Sequence, residues 1–474
     1  MKNEKFGAHM TLLFTLLTLN EMKHFSSVKD ALYFLANDFR KAEDKKELNF
    51  ETRHVIVDRA RYLFQLLKSP QKGKKVIHVA GTSGKGSTVI LLSQLLAAHG
   101  FKVGSLISPH LVRFNERFLI NGREIDDDRL LQYINKILPL AEQMKETSFG
   151  KPHFLTICTA LGYKYFHDEQ TDYNVIETKA GGLYDITNTE QDSDKISVIA
   201  ELGFDHMNIL GTTLTSIAYH KAGIMNEHGV TIALWGETES NQVLQDTAIA
   251  RNNDLYWVQA QQNYQVISIT PSKSIFNYIG KQRTLEKLEL GLLGEHQIRN
   301  ASLALRALEY IAQRDGWQLD EQKIRKTLLT IHQYIGGRIE YKKIQGHNCF
   351  FDVAHNPQKI NALVKTLKAI YPEQKFTFVI SFKDHKEFAE MIDLLAPQAQ
   401  KFMITAFTPA EVGVPFQPVE TDAIEKYIQQ YPDISYQVFS KVNQAWIAAL
   451  QSKEPIVVTG SFYLLSEILQ NKEV

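Results

Sequence analysis

The chain has 474 residues, of which 44% are hydrophobic, and its 53 basic residues balance its 53 acidic ones. This length exceeds a single hydrophobic core, and the composition excludes the fibrous and disordered classes. Without net charge, the protein has no general electrostatic attraction to nucleic acid or to an anionic membrane, so we expect neither as a partner. The two cysteines, Cys158 and Cys349, fall in a predicted buried helix and a predicted buried strand, which argues against a disulfide framework or a thiolate metal site.

An apolar run, residues 11–19 (TLLFTLLTL), lies near the N-terminus. It is too short to cross a bilayer, and no small-residue cleavage site follows it. We expect residues 1–26 to form an extension, either a helix packed on the body or a stretch upstream of a start at Met10 or Met22. The expected location is the cytoplasm.

From residue 76 onward, short β-branched runs alternate with longer amphipathic stretches, which is typical of βαβ units and a mostly parallel sheet. Residues 76–80 (VIHVA) predict a buried strand, residues 88–99 a helix closed by Gly100, and residues 102–107 the next strand. The remaining elements predicted for this first domain are strands at 173–177, 196–201 and 230–235 and helices at 154–166 and 300–313.

A double glycine within residues 334–338 (YIGGR) predicts a hinge or linker after the first domain. A second series of strands and helices follows it, at residues 348–353, 359–370, 376–381, 401–407 and 456–460. The fold class predicted from these patterns is α/β, with a large P-loop-type domain and a smaller C-terminal Rossmann-like α/β domain.

The turn between the first strand and its helix is rich in glycine and carries one lysine. Its backbone N–H groups can converge on a phosphate, Lys85 can reach the β- and γ-oxygens, and Ser87 or Thr88 can bind Mg²⁺. The common pattern is altered, because Val79 stands where the first glycine belongs and Gly86 separates Lys85 from Ser87. A turn without a ligand is the alternative. The predicted nucleotide contacts here are Gly81, Thr82, Ser83, Gly84, Lys85, Gly86 and Ser87.

This shortened loop resembles that of the Mur ligase superfamily, and within it that of folylpolyglutamate synthase and dihydrofolate synthase. The resemblance extends in order from about residue 76 to residue 465. It implies an ATP-binding central domain over residues 27–332 and a glutamate-ligase domain over residues 333–474. It also implies ATP and Mg²⁺ as cofactors, a pteroate or folate and L-glutamate as substrates, and a monomer.

Residues 108–117 (SPHLVRFNER) mix aromatic, basic and acidic groups that can stack on a flat ring and pair with carboxylates. A solvated loop is the alternative. The segment is similar to the family's loop over its pterin-type substrate, and Asp185 belongs to the family's glycine-rich turn. The resemblance therefore implies the following substrate contacts: Ser108, Pro109, His110, Arg113, Phe114, Glu116, Arg117 and Asp185.

Two candidate ligands for a hard cation, Glu177 and His206, follow predicted strands. Oxygen ligands beside nucleotide phosphates suit Mg²⁺, although a lone histidine is often only a core residue. The resemblance implies that Ser87, Glu177 and His206 bind metal and that Lys221 is carbamylated by CO₂, becoming an anion able to hold the metal or its waters. An unmodified surface lysine is the alternative.

The chain departs from the family pattern at three positions near the expected acyl substrate. Lys179 replaces a glycine, Leu183 replaces an arginine, and His220 stands where glutamate is usual. The acyl substrate could therefore differ even if the nucleotide chemistry is kept.

Four residues are expected at the junction of the domains. Asn300, taken alone, is a good helix N-cap, and the resemblance implies that it contacts the nucleotide base. Arg338 offers a guanidinium that could clamp the γ-phosphate. By resemblance, Asp352 lies on the nucleotide side and His355 near the incoming amino acid. The segment 381–386 resembles one that faces the glutamate site, with a solvated charge cluster as the alternative.

The hypothesis is an ATP-dependent ligase that activates a carboxylate as an acyl phosphate, with Lys85, Lys221 and His355 as catalytic residues. A Mur-type ligase for another acyl substrate is the first alternative, and residues 108–117 argue against it. A P-loop kinase or nucleotide-binding protein that makes no amide is the second. Residues 352–357 and Lys221 argue against that one.

Overall fold

In the computed structural model the described residues are 24–39, 54–190, 194–384, 386–409 and 416–470. The apolar run at residues 11–19 and His385 therefore lie outside the described residues, and most of the predicted N-terminal extension does too. The predicted domain boundaries after residues 26 and 332 stay predictions.

The larger sheet has eight strands in the order β4-β3-β2-β5-β1-β6-β7-β8. The six strands β2, β5, β1, β6, β7 and β8 run parallel to one another. At one edge of the sheet, β3 pairs antiparallel with β2, and β4 pairs antiparallel with β3. The central strands are buried on both faces, which explains why they appear in the sequence as continuous apolar runs. The strands are β1 (Lys75–Ala80), β2 (Val103–Leu106), β3 (Phe118–Ile120), β4 (Arg123–Glu124), β5 (Tyr173–Glu177), β6 (Ile196–Ile199), β7 (Val230–Leu234) and β8 (Asp254–Val258).

Helices cover this sheet on both faces, and a three-stranded antiparallel sheet extends one of its two main cores. We call this assembly the N-terminal lobe. The helices are α1 (Val28–Asp38), α2 (His54–Leu66), α3 (Lys85–Ala98), α4 (Asp127–Gln143), α5 (Phe154–Asp168), α6 (Met207–Leu210), α7 (Leu214–Ala222), α8 (Thr238–Ala250), α9 (Glu295–Asp315) and α10 (Glu321–Thr330). The small sheet comprises β9 (Tyr264–Ile269), β10 (Ser274–Ile279) and β11 (Thr284–Leu290).

The C-terminal lobe contains a six-stranded sheet in the order β12-β13-β17-β14-β15-β16, parallel except for β12. Two apolar clusters fill this lobe. Its strands are β12 (Glu340–Ile344), β13 (His347–Phe351), β14 (Phe376–Ile380), β15 (Ala399–Thr405), β16 (Ser435–Phe439) and β17 (Ile456–Thr459). Its helices are α11 (Pro357–Ile370), α12 (Phe388–Leu395), α13 (Thr421–Ile428), α14 (Val442–Ala449) and α15 (Phe462–Leu469).

The predicted fold class is confirmed, with a mostly parallel sheet in the larger lobe and a separate α/β lobe after it. One local prediction is wrong. Asn300 is not a helix N-cap, because α9 begins five residues earlier and Asn300 lies in its interior. Cys158 and Cys349 are both buried, as their segments predicted, and neither forms a disulfide within the described residues. Within the described parts of the chain, no helix is both long enough and apolar enough to cross a bilayer.

Candidate active site

Three adjacent parallel strands, β5, β1 and β6, end at the same edge of the large sheet, with β1 in the middle. The glycine-rich loop follows β1, Glu177 ends β5, and the segment leading to His206 follows β6. Carboxyl ends of parallel strands are where open α/β sheets bind ligands. The topology thus brings three separately predicted segments to one place.

Backbone hydrogen bonds hold the glycine-rich loop against the neighbouring strand end. Thr82 and Ser83 donate from their backbone N–H groups to the Glu201 carbonyl at 2.8 and 3.2 Å. Gly84 has a φ of +81°, and a Cβ built on it would lie 2.3 Å from Asn300 Oδ1. Only glycine fits here, because both the backbone conformation and the space exclude a side chain. Asn300 therefore packs on the phosphate loop itself, from inside α9.

Lys85 begins α3, and its ammonium donates to the carbonyl oxygens of Gly81 at 3.0 Å and Thr82 at 3.4 Å. In the described part of the chain it forms no salt bridge. A cation bonded only to weak neutral acceptors at a helix N-terminus suits a phosphate oxygen.

The candidate metal ligands surround the end of this loop. Ser87 and Glu177 are buried, and a Cβ built on Gly86 would lie 3.7 Å from Glu177 Oε2. His206 has a φ of +52° at the start of the short helix α6, and its side chain is 46% exposed. Among the described residues no three His, Cys, Asp or Glu groups come together as a metal cage. The predicted set contains only two such groups, so it fits a Mg²⁺ held largely by phosphates and waters.

Lys221 lies in the last turn of α7, only 2% exposed. Burial, together with the positive charge of Lys85, lowers the pKa of Lys221 to about 7, against the opposing influence of Asp185, Asp205 and Glu177. Loss of solvent and the charges of Lys85 and Lys221 likewise lower the pKa of His206 to about 4. Both groups can therefore be neutral near neutral pH.

The C-terminal lobe contributes Arg338, Asp352 and His355. A Cβ built on Gly86 would lie 3.9 Å from Arg338 Nη2, so this guanidinium reaches the phosphate loop from the other lobe. The Asp352 carboxylate accepts the backbone N–H groups of Ile339 and Ala354, each at 2.8 Å. Burial raises the pKa of Asp352 to about 6, although Arg338 opposes the shift. The carboxylate fixes the turn that carries Arg338.

His355 is held as a neutral imidazole. Its Nδ1 lies 2.8 Å from the Val353 carbonyl, which can only accept, so Nδ1 carries the proton. Its Nε2 accepts from Lys359 Nζ at 3.1 Å. Burial and the charges of Lys359 and Lys383 lower the pKa of His355 well below its ordinary range. Burial also lowers the pKa of Lys359 to about 7, with Lys85, Arg338 and Lys386 adding to that shift against Asp205.

Two polar links join the lobes beside the loop. Ser83 Oγ donates to Gln358 Oε1 at 3.1 Å, and Lys386 Nζ donates to Asp205 Oδ1 at 2.8 Å. Burial would raise the pKa of Asp205, but His206, Lys359 and Lys386 hold it well below its usual range. Asp205 is therefore an anion of the N-terminal lobe that faces lysines of the C-terminal lobe.

The predicted substrate loop is organised by two of its own charged residues. Glu116 accepts the backbone N–H groups of Leu111, Val112 and Arg113 at 2.6 to 2.7 Å. Buried Arg117 donates to His110 Nδ1 at 2.9 Å, and its guanidinium carbon lies 5.3 Å from the centre of the Phe114 ring. Glu116 thus fixes the conformation of the loop.

The other members of the predicted substrate set differ in exposure. The Ser108–Pro109 peptide bond is cis, and the Ser108 N–H donates to Glu177 Oε2 at 2.8 Å, which ties the loop to the metal candidates. Arg113 is exposed and pairs with Asp127 at 2.9 Å, away from the strand ends.

The Asp185 carboxylate also accepts hydrogen bonds from backbone groups of its own turn. Its Oδ2 accepts the N–H groups of Lys179 and Ala180, and its Oδ1 accepts both the N–H and the hydroxyl of Thr187. Of the three departures from the family pattern, Lys179 has a buried ammonium without a hydrogen-bond partner, and buried His220 packs edge-on against Tyr184. Leu183 donates its backbone N–H to the His220 carbonyl.

Three polar side chains at the lobe junction were missed from the sequence: Lys359, Gln358 and Asp205. The sequence signal for Lys359 was its position at the start of a predicted helix, four residues after His355. No local pattern points to Asp205, because its partner Lys386 is 181 positions away.

Comparison with known protein families places these features in context. Residues 131–308 match the Mur ligase middle domain, and residues 337–471 match the C-terminal domain of dihydrofolate synthetase. The chain is 30% identical over 424 residues to the folylpolyglutamate synthase of Lacticaseibacillus casei, covering 86% of this chain and 92% of that one. It is also 30% identical over 430 residues to the dihydrofolate synthetase of Saccharomyces cerevisiae, covering 87% and 97%.

Structural similarity agrees with the sequence matches. The crystal structure of folylpolyglutamate synthase from Thermotoga maritima matches with a TM-score of 0.75 at 27% identity, covering 87% of this chain and 92% of that one. These matches cover both lobes. The chain belongs to the dihydrofolate synthase and folylpolyglutamate synthase family of Mur ligases.

Proposed function

We propose that the protein is an ATP-dependent ligase that joins L-glutamate to the carboxylate of a pteroate or folate. The observation that supports this most directly is the convergence of Lys85 and Glu177 from one lobe with Arg338 from the other around Gly86. A phosphate loop reached by an arginine of a second lobe suits phosphoryl transfer to an acceptor bound between them.

The residues present fit ATP and Mg²⁺. Gly86 leaves room beside the loop, and the cations Lys85, Arg338 and Lys359 lie within electrostatic range of one another there. Ser87, Glu177 and His206 would hold Mg²⁺, which, when bound, neutralises charge on the phosphate oxygens. Lys221, with a pKa of about 7, has a neutral amine that can add CO₂ and lose a proton to give a carbamate.

In the proposed reaction a carboxylate oxygen of the acyl substrate bonds to the γ-phosphorus, and the bond to the ADP oxygen breaks. Lys85 and Arg338 stabilise the transferring oxygens. The glutamate α-amine then attacks the acyl carbon and expels phosphate, giving an amide and releasing one proton overall. The neutral His355 has a lone pair at Nε2 that can take a proton from this amine once Lys359 turns to the phosphates.

The test is ADP release measured with dihydropteroate, tetrahydrofolate and a UDP-sugar acceptor side by side, each with and without L-glutamate. We expect ADP release only when both a pteroate or folate and glutamate are present, with a glutamylated product. Release without an amino acid would favour the kinase alternative, and release with the UDP-sugar would favour another Mur-type ligase. The same assay separates first glutamate addition from chain extension.

We also propose that the protein acts as a cytoplasmic monomer that binds neither nucleic acid nor membranes. The balanced overall charge supports this. Size-exclusion chromatography with light scattering tests the monomeric state.

A further inference from the structure

Two buried cationic side chains, Lys179 and Arg117, each carry a nitrogen atom without a hydrogen-bond acceptor among the described residues, although Arg117 also donates from Nε to His110. Lys179 Nζ and Arg117 Nη1 are both shielded from solvent, and neither has a partner in the described part of the chain. An unpaired buried donor costs about 1–3 kcal/mol, and more when it is charged. Native proteins rarely keep such a group without a reason, so two of them together call for a ligand.

The two groups belong to one site. After burial, the positive charge of Arg117 is the largest influence that lowers the pKa of Lys179. The Glu177 carboxylate lies within electrostatic range of both groups. Arg117 comes from the loop after β2, and Lys179 comes from the turn after β5, the neighbouring strand. Tyr463 on α15 also lies within electrostatic range of Arg117, so the site borders the C-terminal lobe.

The carboxylates nearby are already engaged. Glu177 Oε2 accepts the Ser108 N–H, and Glu116 accepts three backbone N–H groups of its own loop. Asp185 accepts four donors, of which one is the backbone N–H of Lys179 itself. The residues that the structure describes therefore supply no hydrogen-bonded counter-ion for Lys179 Nζ or Arg117 Nη1.

We infer that Lys179 and Arg117 together form the binding site for the carboxylate of the acyl substrate, with Lys179 as a specificity-determining residue. The inference rests on the proposed function. A carboxylate has two oxygens and can accept from both an ammonium and a guanidinium. Bound there, it would lie beside Glu177, whose Oε2 is 3.7 Å from a Cβ built on Gly86, so the carboxylate would be close to the phosphate loop. Because Lys179 stands where the family pattern has glycine, this second cation is a feature of this chain.

The experiment compares Lys179→Met with Lys195→Met in the full chain. Lys195 is a matched control, because it is also buried but donates to Asn188 Oδ1 at 3.1 Å and to the Glu190 carbonyl at 3.0 Å. We expect K179M to raise the KM of the acyl substrate by about tenfold or more, to leave the KM of ATP within about twofold, and to keep or raise the melting temperature. K195M should lower the melting temperature and leave the KM of the acyl substrate unchanged.

A second measurement uses the carboxamide analogue of the acyl substrate as a competitive ligand. The wild type should bind the carboxylate at least about tenfold more tightly than the carboxamide, and K179M should lose most of that preference. Lys179→Gly, which carries the family residue, serves if the methionine variant does not fold.

The outcomes separate the two proposals. If the wild type ligates glutamate but K179M and K179G keep the KM and the preference for the carboxylate, this inference is overturned and the proposed function stands. A fall in melting temperature without a change in KM would also overturn it, since Lys179 would then be structural. A wild type that ligates no pteroate or folate would remove both proposals together.

Discussion

Replacing Lys359 with methionine tests the electrostatics of the phosphate site. Lys359 Nζ donates to His355 Nε2, and its pKa is lowered to about 7 by burial and by the neighbouring cations Lys85, Arg338 and Lys386. Methionine keeps most of the apolar stem and removes only the charge and the hydrogen bond. In the nucleotide-free protein the buried positive charge lowers the stability of the folded state. When a polyphosphate is bound, we expect the same charge to increase the affinity for it.

The size of the effect of Lys359 on the free energy of unfolding follows from proton linkage. A lysine with a pKa of about 7 when folded and 10.5 when unfolded carries fewer protons in the folded state between these values. The unfolded state binds more protons there, so the stability of the folded state rises with pH and is lost as the pH falls toward 7. Over the interval from about pH 7 to about pH 9 this amounts to about 2 kcal/mol for one lysine.

The assay is denaturant unfolding of the wild type and K359M without nucleotide, at about pH 7 and about pH 9. The wild type should gain about 2 kcal/mol more than the variant over that interval. Lys368→Met is the matched control, because Lys368 lies exposed on the same helix, α11, and should show the wild-type response. ADP affinity, measured by calorimetry, should fall about tenfold in K359M alone. An identical pH response in the wild type and K359M, with unchanged ADP affinity, would refute the reasoning.

Three further outcomes are expected. Lys85→Ala should lower ligation by about a thousandfold while circular dichroism stays unchanged, because Lys85 contacts only its own loop in the absence of nucleotide; activity within about tenfold of wild type would contradict its role. Glu116→Ala should destabilise the protein by about 1–2 kcal/mol, because three backbone N–H groups lose their acceptor and the two exposed ones can bond to water instead. Thermal unfolding and a raised KM for the acyl substrate check this. Removing Mg²⁺ with a chelator should abolish ADP release but leave the melting temperature of the nucleotide-free protein unchanged, because no cage of three or more acidic, histidine or cysteine side chains occurs in the described ranges.

The sequence predicted the central parallel strands well because each is a short apolar run buried on both faces, whereas the parallel edge strands β8 and β16, which are partly exposed, were not predicted. The strand from Tyr173 to Glu177 was predicted to the residue, and several others ended within two residues of their observed limits. The antiparallel strands β9 to β11 were not predicted, because one of them, β10, alternates buried and half-buried positions without a long apolar run. The interior position of Asn300 was missed for a related reason. Its helix starts with polar residues that look like a loop.

Site residues were predicted where a motif follows a strand, since strand ends fix their positions. Residue roles within loops could not be predicted in the same way. Glu116 and Asp185 were expected to contact substrate, but both are used by backbone N–H groups, and this depends on the loop conformation. Contacts between lobes, such as Asp205 with Lys386, join positions that no local pattern relates.

The charges at the lobe junction lead to a last prediction, about how nucleotide and lobe closure are linked. Lys85 belongs to one lobe, while Arg338 and Lys359 belong to the other, and these like charges oppose the approach of the lobes. The hydrogen bonds Ser83–Gln358 and Asp205–Lys386 between the lobes stabilise the closed arrangement. A polyphosphate between the cations would replace this repulsion with attraction. Nucleotide binding should therefore increase the population of the closed arrangement, and closure should increase the nucleotide affinity.

Small-angle X-ray scattering with and without Mg²⁺–ADP measures this link. We expect the radius of gyration of the wild type to fall on nucleotide binding. In K359M the nucleotide-free protein should already be more compact than the wild type, because one of the repelling charges is gone, and the change on binding should be smaller. If the nucleotide-free wild type and K359M had the same radius of gyration and responded equally to ADP, repulsion between the lobes would not control closure, and the lowered pKa of Lys359 would reflect burial alone.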